Sequence, residues 1–272
     1  MPKSVERSTR GVAMGDVMLW SAVAIAVLMV STWIVSVIIR NASIVDIVWG
    51  FGFVVVAWVS RVVGDGDDAR QWLLTILTTI WGLRLAIYLG WRNTGHGEDY
   101  RYRAMRKRWG PRFPIISLAT VFTLQGTLMW IVSLGVQMGQ ADDSPSVGPV
   151  AVIGIVVWLI GFFFEVVGDA QLTRFKADPS SAGKVMDRGL WRYTRHPNYF
   201  GDACVWWGLA IIAAESGGGA WGLLGALTMT VLLRRVSGVT LLERSLKKRR
   251  EGYAEYIART SPFFPRPPKR IG

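Results

Sequence analysis

The chain is 272 residues long, 51% of them hydrophobic, with 14 tryptophans, one cysteine, two histidines and a net charge of +12. A lone Cys204 excludes an intrachain disulfide and a thiolate metal cluster, and His96 and His196 are too few for a histidine-rich metal site. The apolar residues fill stretches of roughly 20, enough to cross a ~30 Å hydrocarbon core, which excludes a pair of soluble domains.

Seven spans are expected, over 15–39, 44–63, 71–91, 114–138, 149–171, 199–215 and 220–241, giving an all-α integral membrane protein in one bundle over 1–272. The first run lacks a small-residue cleavage pattern and is long enough to span, so it reads as a transmembrane helix and not as a signal peptide. Asp46 lies inside the second span, just after Asn41 and Ser43. Arg84 lies inside the third, with Tyr88 one turn further along the same face. A basic loop follows, with Arg92, Arg101, Arg103, Arg106, Lys107, Arg108 and Arg112. Glu165 and Asp169 stand one turn apart at the end of the fifth span, before a second basic loop with Arg174, Lys176, Lys184, Arg188, Arg192 and Arg195. Asn198 and Asp202 repeat that spacing at the start of the sixth. Arg234 and Arg235 come near the end of the seventh, with Glu243 two turns later, and the tail carries Arg244, Lys247, Lys248, Arg249 and Arg250.

The intervening loops, Gln140–Gly148 and Ser216–Gly219, hold no Lys or Arg. This alternation is the positive-inside pattern, which places the basic loops and the C-terminus in the cytoplasm. Seven spans then put the N-terminus outside, against the charge of Lys3, Arg7 and Arg10. Topology and anionic headgroups account for the charge, so no nucleic-acid partner is expected.

Polar groups at membrane depth usually face a bundle interior or a cavity, although carboxylates near helix ends also snorkel or pair with a nearby Arg. Most of them here cluster at the cytoplasmic ends of the last three spans, beside the loop at 173–197. That cluster suits a polar, phosphate-bearing ligand, and the same helices would border an apolar cavity for a lipid-like substrate. There is no G-x-x-x-x-G-K-[ST] and no G-x-G-x-x-G after a strand, and Gly217–Gly219 reads as a flexible outer turn. The densest stretches are Asp169–Lys176 and Gly189–Asp202. They offer cations for phosphates, the planes of Trp191, Tyr193 and Tyr199 for a heterocycle, and Asn198 and Asp202 for an amide or a ribose. Pro197 suits the first turn of the helix that follows.

These stretches resemble the steroid 5-alpha-reductase C-terminal family, in its bacterial branch described as a domain of unknown function. The wider group includes the C14 and C7 sterol reductases and the isoprenylcysteine and phospholipid methyltransferases. The likeness rests on Asp169…Gln171…Phe175-Lys176, Gly189-Leu-Trp-Arg-Tyr193, Arg195-His-Pro-Asn-Tyr-Phe-Gly-Asp202, and Glu243 with the tail from Tyr253 to Pro265. In the N-terminal half it rests on Asn41-Ala-Ser-Ile-Val-Asp46 with Trp49, on Gly82-Leu-Arg84 with Arg92, and on Gly97-Glu-Asp-Tyr-Arg-Tyr102.

The resemblance implies a membrane-embedded NADPH-dependent oxidoreductase, multi-pass in a bacterial inner membrane, that reduces a carbon–carbon double bond conjugated to a carbonyl. Its substrate would be a steroid-like small molecule or a lipid. NADPH would be held by the last three helices and their loops (about 149–265), with the substrate on the helices of about 15–138. Asn198, Tyr199 and Asp202 match the nicotinamide side, and Asp169, Arg174 and Lys176 match the ribose and phosphate positions. Gln171, Trp191, Tyr193, Arg195, His196, Arg235 and Glu243 are further cofactor candidates, and no metal is expected. In the steroid enzymes a Tyr and a Glu polarise the substrate ketone. That pair has no match here, since Trp81 falls near the Tyr position, and Asp46, Arg84 and Tyr88 are the nearest substitutes. The segment 92–113 is expected to close over the cofactor, because Glu98 and Asp99 would oppose headgroup binding. The competing reading is an S-adenosylmethionine-dependent lipid methyltransferase, which shares Arg195-His196-Pro197 and Glu243. Such enzymes carry a second Glu at the last position, where Arg244 stands here. A non-enzymatic lipid-binding or transport bundle is the third reading.

Overall fold

The computed structural model describes residues 3–144, 147–236, 243 and 252–269, and every regular element among them is helical. Five segments are long and apolar enough to cross a membrane: Met14–Ile38, Ile44–Val63, Asp68–Asn93, Tyr100–Val132 and Pro149–Ala177. This is the make-up of a multi-pass membrane protein. The helix Lys3–Ile38 (α1) shows how lipid inverts the usual pattern. Its inward face carries Ser21, Thr32 and Ser36 beside Val17, Ile25 and Met29, while Leu19, Trp20, Val27 and Ile34 are exposed. Outward apolar groups need no core when the solvent is lipid, and small or hydroxyl-bearing residues let helices approach closely.

Ile44–Val63 (α2) and Asp68–Asn93 (α3) follow as expected. The predicted basic loop after them is mostly helix. Asp99 accepts from the Arg101 amide and so caps Tyr100–Trp109 (α4), whose Arg, Lys, Ala and Met residues are good helix formers. Phe113–Ser117 (α5), a wide π-helical turn at Leu118–Thr123 and Leu124–Val132 (α6) continue the same segment. The predicted fourth span, 114–138, therefore starts earlier, and it breaks at Ser133 before Leu134–Ala141 (α7). Pro149–Ala177 (α8) is the longest uninterrupted helix of the C-terminal half.

The last two predicted spans have a different character. Pro197–Ala214 (α9) carries Asn198 and Asp202 in its first two turns and is not among the five apolar segments above. The described part of 220–241 is a 3-10 turn at Gly219–Gly222, the short helix Leu223–Val231 (α10) and a π-helical turn at Leu232–Val236. Residues 237–241 lie outside the described residues, as do Arg244, Lys247, Lys248, Arg249 and Arg250 of the basic tail. Tyr253–Arg259 (α11) is the final helix.

The chain divides into two compact units, Met1–Ala151 with Leu209–Gly225, and Val152–Gly208 with Ala226–Gly272. In the first, α2 and α3 cross at Gly50 and Gly82, where a Cβ on Gly50 would sit 2.6 Å from the Gly82 carbonyl oxygen. Arg70 is fully buried there, its Nε donating to the Gly139 carbonyl at 2.8 Å and its Nη1 to that of Ser144 at 3.1 Å. It thus satisfies carbonyls left open at the end of α7. In the second unit, α8 and α9 cross at Gly161 and Gly201, where a Cβ on Gly201 would lie 2.5 Å from the Glu165 nitrogen.

Candidate functional site

The first unit gathers the N-terminal motifs into one polar network. The Asn41 side chain accepts from the Ser43 amide at 2.9 Å, and the Ser43 hydroxyl accepts from the Asp99 amide at 2.6 Å. Glu98 accepts from the Ala42 amide at 2.8 Å and from both arms of Arg106, at 3.0 and 2.8 Å. Partial burial pushes the Glu98 carboxyl up, but the bonds from Arg106 and Ala42 outweigh it and leave the group below its ordinary value. Asp46, the predicted catalytic acid of α2, has both oxygens engaged. Tyr102 donates to one at 2.8 Å and Arg101 to the other at 2.7 Å.

Tyr102 is the residue that sequence reasoning missed. It stands in the Gly97–Tyr102 motif, but the expected polarising residues were Asp46, Arg84 and Tyr88. In the structure Tyr88 packs between Arg84 and Arg92, whose guanidinium carbons lie 5.9 and 5.5 Å from its ring centre. The buried phenol on Asp46 is instead that of Tyr102, within 3.4 Å of the Gln125 amide. A signal was present in the sequence, since Tyr102 follows a capping Asp99 by one turn and so projects from a helix. Reading 92–113 as a loop concealed it.

The second unit contains every predicted cofactor residue. Asn198 donates from Nδ2 to Asp169 at 3.0 Å, joining the first turn of α9 to α8, and its carbonyl oxygen accepts from the Tyr199 amide. Asp169 is almost fully buried, while Asn198 is half-buried. Two turns of loop are fastened beside them. Gln171 accepts from the Leu190 amide at 3.0 Å, and the Trp191 indole donates to the Gly168 carbonyl at 3.1 Å. Gly189 is held at φ +56°, in the left-handed region, and a Cβ there would collide with Gln171 at 2.4 Å, so both geometry and space demand glycine.

Arg195 bonds to Glu243 and to the C-terminal tail. Arg195 places Nε and Nη2 on the two Glu243 oxygens at 2.7 and 3.2 Å, and Nη1 on the carbonyls of Ile257 and Thr260 at 3.0 and 2.6 Å. It is a clamp on the C-terminal tail. The Arg195 amide adds a bond to the Ser261 carbonyl at 2.9 Å, and the Thr194 hydroxyl one to that of Phe263 at 2.8 Å. His196 Nε2 lies 3.3 Å from Glu243, and its ring stacks on Tyr199 at 5.4 Å with planes 6° apart. Burial pushes Glu243 up, but the hydrogen bonds from His196 and Arg195 outweigh it and hold its carboxyl below the ordinary range. Tyr253, buried and close to Glu243, is pushed up to about 12.

Two clefts open on this unit. One of about 350 Å³ is lined by Gln171, Arg174, Phe175, Asp178 and Arg188. A larger one, about 800 Å³, lies between the 187–192 loop and the tail. They share Arg188 and Gly189. Tyr193 and Arg235 are exposed, Arg235 in the wide turn after α10, and Lys176 is exposed near the end of α8. Asp202 is partly buried one turn beyond Asn198. Among the described residues no group of three or more metal-ligating side chains occurs.

Fold and site define a multi-pass helical membrane protein with a hydrogen-bonded acid–phenol pair in one unit and a basic, cleft-bearing region in the other. The chain belongs to the family described as protein of unknown function DUF1295, whose model matches residues 32–260, a steroid 5-alpha-reductase-like family. An uncharacterised protein of Schizosaccharomyces pombe is 23% identical over 264 residues, covering 86% of this chain and 75% of that protein. The steroid 5-alpha-reductase DET2 of Arabidopsis thaliana is 39% identical over 62 residues, 22% of this chain and 23% of the plant protein. No solved structure matches.

Proposed function

We propose that the protein is an NADPH-dependent reductase of a carbon–carbon double bond conjugated to a carbonyl, acting on a steroid-like or lipid substrate. The observation that carries this reading is the donor set supplied by the end of α8 and the loop before α9. Gln171, Arg174 and Arg188 line one cleft, and further up α8 Asp169 accepts from Asn198. That donor set fits a dinucleotide. Guanidinium groups meet phosphates through charge-assisted bonds, while a buried acid and an amide match ribose hydroxyls and a carboxamide. Asp169, Asn198, Tyr199 and Asp202 would hold the nicotinamide half, and Gln171, Arg174 and Lys176 the phosphates. When bound, NADPH supplies the hydride for the β-carbon of the enone.

The chain's own contribution is a proton donor and a fixed field. Tyr102 is the donor that polarises the substrate carbonyl, its single hydroxyl proton turning from Asp46 to the substrate oxygen, and Arg101 holds Asp46 in place. Arg195, His196 and Glu243 position the loop and tail without touching the cofactor. In the methyltransferase reading the same three residues would hold S-adenosylmethionine, yet four bonds already commit Arg195 to Glu243 and the tail. Seven spans, with α9 and 220–241 as the last two, and cytoplasmic basic loops complete the proposal. Residues of about 15–138 serve the substrate and about 149–265 the cofactor. The test is NADPH oxidation by purified protein given 3-oxo-Δ4 steroids and α,β-unsaturated lipids. Turnover with one class supports the reading, whereas S-adenosylmethionine-dependent methylation of a lipid would replace it.

A further inference from the structure

The larger cleft has a wall that the family likeness does not cover. Pro267, Pro268 and Lys269 line it, and all three lie beyond residue 260, where the family match ends. The chain folds back to build that wall. The Arg266 amide donates to the Tyr193 carbonyl at 3.0 Å, and the Lys269 amide to that of Arg259 at 2.9 Å. The two prolines between those bonds have fixed φ and no amide proton, so the strap is stiff before any ligand arrives.

The charge inside is one-sided. Arg188, Arg192, Arg259 and Lys269 line the space, and the single carboxylate, Asp187, is paired with Arg259. Among the described residues, Arg188, Arg192 and Lys269 meet no acid, and Arg188, Arg192 and Lys269 are exposed. Three uncompensated cations around a fixed-walled space are poor packing but good anion recognition, and guanidinium groups suit phosphate oxygens. The volume, about 800 Å³, falls within the range of ligand sites, roughly 300–1,000 Å³.

We propose that this tail cleft is a binding site for a phosphate-bearing ligand, with Arg188, Arg192 and Lys269 as its phosphate donors. It adjoins the smaller cleft at Arg188 and Gly189, so the phosphate belongs either to a nucleotide reaching across that boundary or to an anionic lipid headgroup. The recognition chemistry is the same for both. The site stands on its own geometry and does not require the NADPH reading.

The test uses full-length protein in detergent. Pyrophosphate and 2′,5′-ADP are titrated calorimetrically, and retained phosphatidylglycerol is counted against phosphatidylcholine by native mass spectrometry. Wild type is compared with an Arg192→Gln/Lys269→Gln double variant, with Arg188→Gln as an independent variant, and with Arg174→Gln in the smaller cleft. At least a tenfold loss of pyrophosphate and 2′,5′-ADP affinity in the double variant, with lipid retention unchanged, supports the site and assigns the phosphate to a nucleotide. Selective loss of phosphatidylglycerol supports the site and assigns it to a headgroup. Wild-type values for every probe in both the double variant and Arg188→Gln overturn it. Loss of NADPH binding in Asn198→Ala reports on the cofactor reading separately, because pyrophosphate carries no nicotinamide.

Discussion

At Asp46 two bonds decide how the residue can act. Asp46 accepts from both Tyr102 and Arg101, which makes it an orienting acceptor for a phenol. Tyr102→Phe is therefore expected to lower turnover by about 10²-fold with NADPH affinity unchanged, the size of a general-acid contribution. Tyr88→Phe is expected to leave turnover close to wild type. The reverse ranking, read from steady-state rates and cofactor titration on the same preparations, would return the donor role to Tyr88. Glu243 makes a second prediction at this scale. Its folded pKa is depressed below the ordinary value of 4.5, so its stabilisation of the tail is complete above that value and is lost as pH falls through the lower, folded one. Limited proteolysis should show the segment 253–265 released progressively as pH falls further below 4.5. Glu243→Gln should release it at neutral pH, at a cost of about 2 kcal/mol for charged hydrogen bonds. A tail equally protected at pH 7 and pH 3, in both proteins, would contradict the clamp.

Among the elements, the apolar runs were legible because a ~30 Å core demands long uninterrupted stretches, and α1, α2, α3 and α8 fall where those runs stand. The helix α4 was hidden because its ten residues carry five Arg and Lys, a composition that hydropathy reads as loop while helix propensity does not object. The break at Ser133 left no proline or glycine marker at that position. Local motifs were readable as chemistry, as at Asp169 and Asn198, yet the partner of each side chain was not. The bond from Arg195 to Glu243 was not readable, because spacing reveals neighbours in sequence and not those 48 residues away. The α8–α9 crossing gives the test at this scale. Gly201→Val would set a side chain against the Glu165 nitrogen, where even a Cβ stands at 2.5 Å. It should push the helices apart, lower the melting temperature and abolish cofactor binding, whereas an unperturbed melt would show that the crossing can yield.

For the molecule as a whole, charge and hydropathy describe one kind of protein, with apolar spans and strongly basic connecting segments. A basic surface near a membrane attracts both anionic lipid and a soluble polyanion. The account's central claim is that the polyanion is NADPH. The most direct measurement is a calorimetric titration of the detergent-purified protein with NADPH, NADH and S-adenosylmethionine, repeated on Asn198→Ala and Arg174→Gln. Binding of NADPH in preference to NADH, abolished by Asn198→Ala and weakened about tenfold or more by Arg174→Gln, is the predicted result, in line with loss of a charge-assisted phosphate contact. Binding of S-adenosylmethionine with no response to NADPH would contradict it.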